Sequence, residues 1–224
     1  VVLIDPDKPA AVEAVCPYLS LPDMIFIGGS TGDQCETCIA QLRQTTERPI
    51  VLFPGNIAQF TPTADALLFL SLLNARTPDV LMQPHIHIAQ QVLQSGIETI
   101  PMGYILIDGD RKSSVEIATK CTPIPQSNIR EIVSTAIAGQ LLGKQLIYLE
   151  AGSGAKTPIS AEIIHAVRAQ LSVPLIVGGG ITTPDAMLHA FDAGADVVVI
   201  GNHFEQNPDE IDEFVRIKQE RYGE

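Results

Sequence analysis

The chain has 224 residues, 46% of them hydrophobic and 18% charged, which describes a filled globular core and excludes a disordered or fibrous polymer. Its 14 basic and 26 acidic residues give a net charge of −12, which argues against nonspecific binding to nucleic acid or anionic membranes. An anionic ligand would have to be held by backbone amides, helix N-termini, a metal ion or a few well-placed cations.

Eight short apolar runs follow one another along the chain. The first, "VVLID" over 1–5, ends on Asp5 and leads through Asp7 and Lys8 into a helical stretch. "MIFIGG" over 24–29 is followed by Ser30 and Thr31, then by "DQCETCIAQLRQTTE", where Asp33 is placed to cap a helix. "PIVLFPG" over 49–55 leads into "NIAQFTPTAD", which is too short and too interrupted by proline for a full helix. "ALLFLSL" over 66–72 precedes His85 and His87 at the start of another helix, and "TIPMGYILID" over 99–108 precedes the longest irregular stretch, 108–128. "QLIYLEAG" over 145–152 runs through Glu150 into Gly152-Ser153-Gly154. "PLIVGGG" over 174–180 and "DVVVIGN" over 196–202 complete the set, each followed by a helical segment.

Several runs are apolar throughout rather than alternating, the pattern of parallel strands covered on both faces. Strand and helix alternating eight times predicts a single (β/α)8 TIM barrel over 1–224 with an altered or missing third helix, and a doubly wound open sheet as the alternative. The longest apolar run, "ALLFLSLLNA", is too short to span a membrane. Four cysteines without a disulfide framework, and an opening without a basic signal-peptide region, point to a reducing, cytoplasmic setting. Cys35-x-x-Cys38 reads as two small residues on one helix rather than as a redox pair.

In a barrel, chemistry collects at the C-terminal ends of the strands. Those ends carry Asp5, Gly28-Gly29-Ser30, Gly55-Asn56, Asp108, Glu150, Gly178-Gly179-Gly180 and Gly201-Asn202. The glycines after the last three strands predict a phosphate site built from backbone amides. An ionised carboxylate at the end of a buried strand needs a partner, a shifted pKa or a chemical role, and Glu150 poses that question. Asp5 with Ser30 makes an oxygen-only set suited to Mg²⁺, while Asp5 alone is equally well read as a helix cap. Arg111 and Lys112 in the long loop either reach a diphosphate ligand or belong to a solvated loop.

Taken in order, "LIDPDK", "IFIGGS", "PMGYILIDG", "IYLEAGSGA", "VGGGI" and "IGN" resemble the geranylgeranylglyceryl phosphate synthase family, which includes the bacterial heptaprenylglyceryl phosphate synthases. The resemblance covers essentially the whole chain. It implies a Mg²⁺-dependent prenyltransferase of ether-lipid biosynthesis, joining sn-glycerol 1-phosphate to geranylgeranyl diphosphate and releasing diphosphate. It also implies Asp5 and Ser30 as metal ligands and Glu150 as the base. Tyr148, Leu149, Glu150, Ala151, Gly152, Ser153 and Gly154 would surround glycerol phosphate, with Gly179, Gly180, Gly201 and Asn202 closing on its phosphate. A homo-oligomer, dimer or hexamer, and peripheral contact with a membrane follow from the same resemblance. Leu3 stands where the heptaprenyl branch has a lysine, and "YLEAGSG" stands where that branch has "YLEYSG", so the chain resembles the geranylgeranyl branch. The alternatives are another phosphate-handling barrel, an isomerase or lyase of sugar phosphates, or a barrel that binds a phosphometabolite without catalysis.

Overall fold

The computed structural model describes residues 1–29 and 32–223. Eight parallel strands form one sheet in chain order: β1 (Val2–Ile4), β2 (Ile25–Ile27), β3 (Ile50–Leu52), β4 (Ala66–Leu72), β5 (Glu98–Leu106), β6 (Leu146–Glu150), β7 (Leu175–Gly178) and β8 (Val197–Val199). The Leu3 amide donates to the Ile200 carbonyl at 2.9 Å, and this Val2–Ile200 bridge closes the sheet on itself. The (β/α)8 barrel is therefore present, and all eight strands fall inside the stretches expected for them or within one residue of their edges.

Ten α-helices cover the described barrel: α1 (Pro9–Val15), α2 (Cys35–Leu42), α3 (Pro78–Leu81), α4 (Gln83–Ser95), α5 (Ser114–Thr119), α6 (Ile129–Leu141), α7 (Ala161–Arg168), α8 (Pro184–Asp192), α9 (Asn202–Gln206) and α10 (Glu210–Tyr222). Between β3 and β4 there is only a single 3₁₀ turn, Ile57–Gln59, so the outer ring lacks its third helix. Helix boundaries follow side-chain caps: the Ser160 hydroxyl accepts from the Ile163 amide and the Thr183 hydroxyl from the Ala186 amide. Asp33 does not cap α2. Gln34 holds that position without a side-chain bond, and the Asp33 carboxylate accepts from the Gln34 amide nitrogen instead. No helix among the described residues is long and apolar enough to cross a membrane.

The strand period of two divides the apolar residues into two cores. Ile147, Leu149, Leu175 and Val177 face the helices, while Phe26, Met102, Tyr104, Tyr148 and Ile176 fill the barrel axis. On β6 the inward set is Leu146, Tyr148 and Glu150, which carries the carboxylate to the mouth of the barrel. Cys35 and Cys38 lie buried on α2 within the outer core, with thiols pushed up to about 11 and about 12, by burial first and nearby charge second. They are packing residues.

Candidate active site

A cavity of about 730 Å³ opens at the C-terminal end of the barrel. Phe53, Tyr104 and Tyr148 form its aromatic floor, with ring centroids 5.4 to 6.1 Å apart. Above them Glu150, 7% exposed, accepts a 2.7 Å hydrogen bond on Oε1 from the Gly152 amide. Burial raises its pKa above the usual carboxylate range, while the Tyr148 hydroxyl and the Gly152 amide pull the other way. Burial, and then the neighbouring Glu150 charge, raise Tyr148 and Tyr104 well above the ordinary phenol value, so both stay protonated donors.

Gly179 sits directly against the Glu150 carboxylate at φ 85°, where a Cβ would strike Oε1, so no other residue fits this turn without strain. Gly180, Gly201 and Asn202 line the same wall, and the Ser153 hydroxyl donates to Asn202 Oδ1 at 2.9 Å, linking the loops after β6 and β8. Tyr148, Glu150, Ser153, Gly154, Gly179, Gly180, Gly201 and Asn202 all line the cavity. Leu149 and Ala151 do not. The alternation of the strand turns both side chains into the outer core, so at these two positions only the backbone can face the cavity. Gly152 also lies outside the lining and acts through its amide on Glu150.

Asp5 also lines the cavity, at the end of β1 next to β8, with about a quarter of its side chain exposed. Its Oδ1 accepts from the Asp7 amide at 3.1 Å, and its Oδ2 lies 3.4 Å from Lys8 Nζ, which also pairs with Glu205 at 2.7 Å. Lys8, not Asp5, occupies the N-cap of α1, so the capping alternative falls. Gly29 leaves Asp5 uncovered, because a Cβ there would stand 2.5 Å from Oδ1. Ser30, the other expected metal ligand, lies outside the described residues. No cluster of three or more His, Cys, Asp or Glu able to hold a metal occurs among the described residues. A carboxylate with open oxygens does fit a hard cation that completes its shell from water and substrate phosphate.

Another part of the lining is an apolar arm beside the single turn that stands in place of the third helix. Ile57, Phe60, Leu70, Val80, Ile88 and Val115 line this arm. His85 borders it, but Nε2 is hydrogen-bonded to the Leu70 carbonyl and the ring packs against Phe69 at 4.6 Å, as a structural residue would. His203 pairs with Glu210 at 2.8 Å. Asp108, the other acid considered opposite Glu150, is exposed and accepts from the Asp110 amide within its own turn, outside the cavity lining.

Phe53 is not among the expected site residues, although it lies in the expected strand run 49–55, two residues after inward-facing Val51, so alternation turns its ring to the barrel axis. The start of the irregular stretch 108–128 is bound to the site: the Gly109 carbonyl accepts from the Lys156 and Thr157 amides, and Arg111 Nη1 donates to the Gly154 carbonyl at 3.1 Å.

A family model described as the PcrB family matches residues 1–218. Among similar curated proteins, the geranylgeranylglyceryl phosphate synthase of Zunongwangia profunda is 46% identical over 91% of this chain and 89% of its own length. That of Thermococcus kodakarensis is 38% identical over 92% and 83%. A solved structure, (S)-3-O-geranylgeranylglyceryl phosphate synthase from Thermoplasma acidophilum in complex with sn-glycerol-1-phosphate, superposes with a TM-score of 0.88 at 31% identity, covering 98% of this chain and 92% of that one. With a matching barrel, a buried carboxylate at its mouth and relatives of this identity over nearly the whole chain, the protein is a transferase that belongs to the PcrB family of geranylgeranylglyceryl phosphate synthases.

Proposed function

We propose that this chain joins the 3-hydroxyl of sn-glycerol 1-phosphate to C1 of geranylgeranyl diphosphate, giving geranylgeranylglyceryl phosphate and diphosphate. One observation carries the proposal: a buried carboxylate, Glu150, stands where a polar, glycine-walled end of the cavity meets its apolar arm. The polar end suits a phosphorylated triol, and the arm suits a long hydrocarbon. A single cavity that takes both places the alcohol beside the allylic carbon.

Glu150 then takes the proton of the attacking hydroxyl as the new C–O bond forms, while the C1–O bond breaks and its electron pair leaves with diphosphate. Because burial raises its pKa, the ionised carboxylate is a stronger base than an exposed glutamate. Tyr148 and the Gly152 amide donate to the carboxylate and hold it in place between turnovers. The aromatic floor and apolar arm keep water from the reacting carbon.

Asp5, with Ser30 from the loop after β2, would hold Mg²⁺, and Lys8 and Glu205 fix the Asp5 carboxylate beside the cavity. Bound there, the metal supplies positive charge to the departing diphosphate. An isomerase or lyase reading would need a second acid–base group across the cavity from Glu150, and the Asp108 side chain does not line that space. The test is Glu150→Gln. It should abolish product formation while the variant still binds glycerol phosphate in calorimetry, and wild-type turnover in that variant would remove the assignment.

A further inference from the structure

A doubly charged phosphate and a diphosphate must share a cavity in a chain of net charge −12. Three cationic side chains line that cavity: Lys8, Arg111 and Lys112. Lys8 is already engaged by Glu205 and Asp5. Arg111 is anchored by a single hydrogen bond, from Nη1 to the Gly154 carbonyl, out of the five N–H donors a guanidinium carries.

Arg111 is exposed, but the loop that carries it is held in place. The loop 108–113 is fastened to the loop after β6 along its whole length. The Gly109 carbonyl takes two amides, from Lys156 at 2.9 Å and Thr157 at 3.2 Å, and the Thr157 hydroxyl bonds the Asp110 carboxylate. Ser113, 2% exposed, packs on Gly152, where an added Cβ would stand 2.7 Å from the serine Cβ. Its hydroxyl caps α5 by accepting from the Glu116 amide at 3.1 Å. These contacts bring the guanidinium to Gly154, beside Asn202 just after β8.

Gly154 also locates the site by contact. The point where its Cβ would lie is 2.8 Å from Arg111 Nη1 and 3.5 Å from Asn202 Nδ2. Asn202 is turned so that Oδ1 accepts from Ser153, which leaves the Nδ2 donors facing the same space. Arginine and amide donors therefore converge from two loops on the end of the cavity lined by Gly180 and Gly201. That is the geometry of a forked cation on a terminal phosphate.

We propose that Arg111 binds the phosphate of the glycerol phosphate substrate, rather than the prenyl diphosphate, and makes the site selective for a phosphorylated over a free polyol. The assignment rests on the function proposed above and deepens it. In this arrangement Arg111 and Asn202 hold the glycerol phosphate at the Gly154–Asn202 corner, and the Asp5 carboxylate with its metal takes the diphosphate.

Calorimetric titrations of wild type, Arg111→Gln and Arg111→Lys with sn-glycerol 1-phosphate and, separately, with geranylgeranyl diphosphate and Mg²⁺ test this. Arg111→Gln should weaken glycerol phosphate binding at least about tenfold, the loss expected for one charge-assisted contact, and leave diphosphate binding within about twofold. In turnover its KM for glycerol phosphate should rise while kcat at saturation changes little. Arg111→Lys should recover part of the affinity, and the salt dependence of binding should be shallower in Arg111→Gln than in wild type. Circular dichroism melting of both variants reports whether the loop change disturbs the fold. Unchanged glycerol phosphate binding in Arg111→Gln, or a loss confined to the diphosphate, would overturn the assignment and leave the enzyme's reaction standing. Failure of wild type to bind glycerol phosphate would remove the reaction and this assignment with it.

Discussion

Glu150 is held protonated more tightly by the folded chain than by the unfolded one, because burial raises its pKa. Two consequences have opposite signs. Its contribution to stability is greatest below the ordinary carboxylate range and falls as pH rises through the raised value, since the folded state then gives up a proton it favours. Activity does the reverse, because only the ionised form accepts a proton. The acid limb of the kcat profile should therefore lie above the usual glutamate value. Stability of Glu150→Gln, followed by denaturant unfolding from pH 4 to 8, should lack the decline that wild type shows. An identical profile in both proteins would contradict the buried, elevated carboxylate. Gly179→Ala is the sharpest steric test: it forces a left-handed alanine, costing about 1–2 kcal/mol, and puts its methyl into Oε1. We expect at least a hundredfold loss of kcat/KM in a folded protein. The sequence made Glu150 conspicuous because a lone carboxylate ended an apolar run, and the glycines around it were equally legible. Leu149 and Ala151 turn their side chains away from the cavity, which the sequence did not announce. A contiguous motif hides the strand alternation that sends neighbours to opposite faces.

At the scale of elements, strands were easy to read because parallel, doubly covered strands are continuous apolar runs. The gap after β3 was legible from its prolines and its length. Helix starts were less so: Asp33 looked like a cap, yet the helix begins beyond Gln34 without one, and α9 starts at Asn202 inside what read as a phosphate turn. The ties between loops were not legible at all, because each joins residues far apart in sequence. Asn74 is the clearest case. Buried after β4, it donates to the Leu106 and Thr122 carbonyls at 3.1 and 3.0 Å and accepts from the Leu106 amide at 3.0 Å. It pins the end of β5 to the chain returning from α5. Asn74→Ala leaves the buried Leu106 amide without its partner, while the Leu106 carbonyl keeps the Ile124 amide, and should cost about 2 kcal/mol in equilibrium unfolding; a cost under about 1 kcal/mol would mean the tie is dispensable. On α2, the raised thiols of Cys35 and Cys38 predict that neither reacts with a thiol reagent at pH 8 in the native protein. Rapid labelling of either would revive the redox reading.

For the whole molecule, the barrel brings the segments after all eight strands to one opening, whose cavity has a polar end and an apolar arm. In a chain of net charge −12, Lys8, Arg111 and Lys112 all line that opening. The homo-oligomer implied by the family resemblance is a proposal that light scattering decides: the mass should be a multiple of the chain mass. The central claim is chemical. Purified protein incubated with labelled sn-glycerol 1-phosphate, geranylgeranyl diphosphate and Mg²⁺ should move label into an organic-extractable product, and EDTA should suppress it. No extractable label with wild-type protein would contradict the proposed reaction, and label transfer indifferent to EDTA would contradict the role given to Asp5 and its metal.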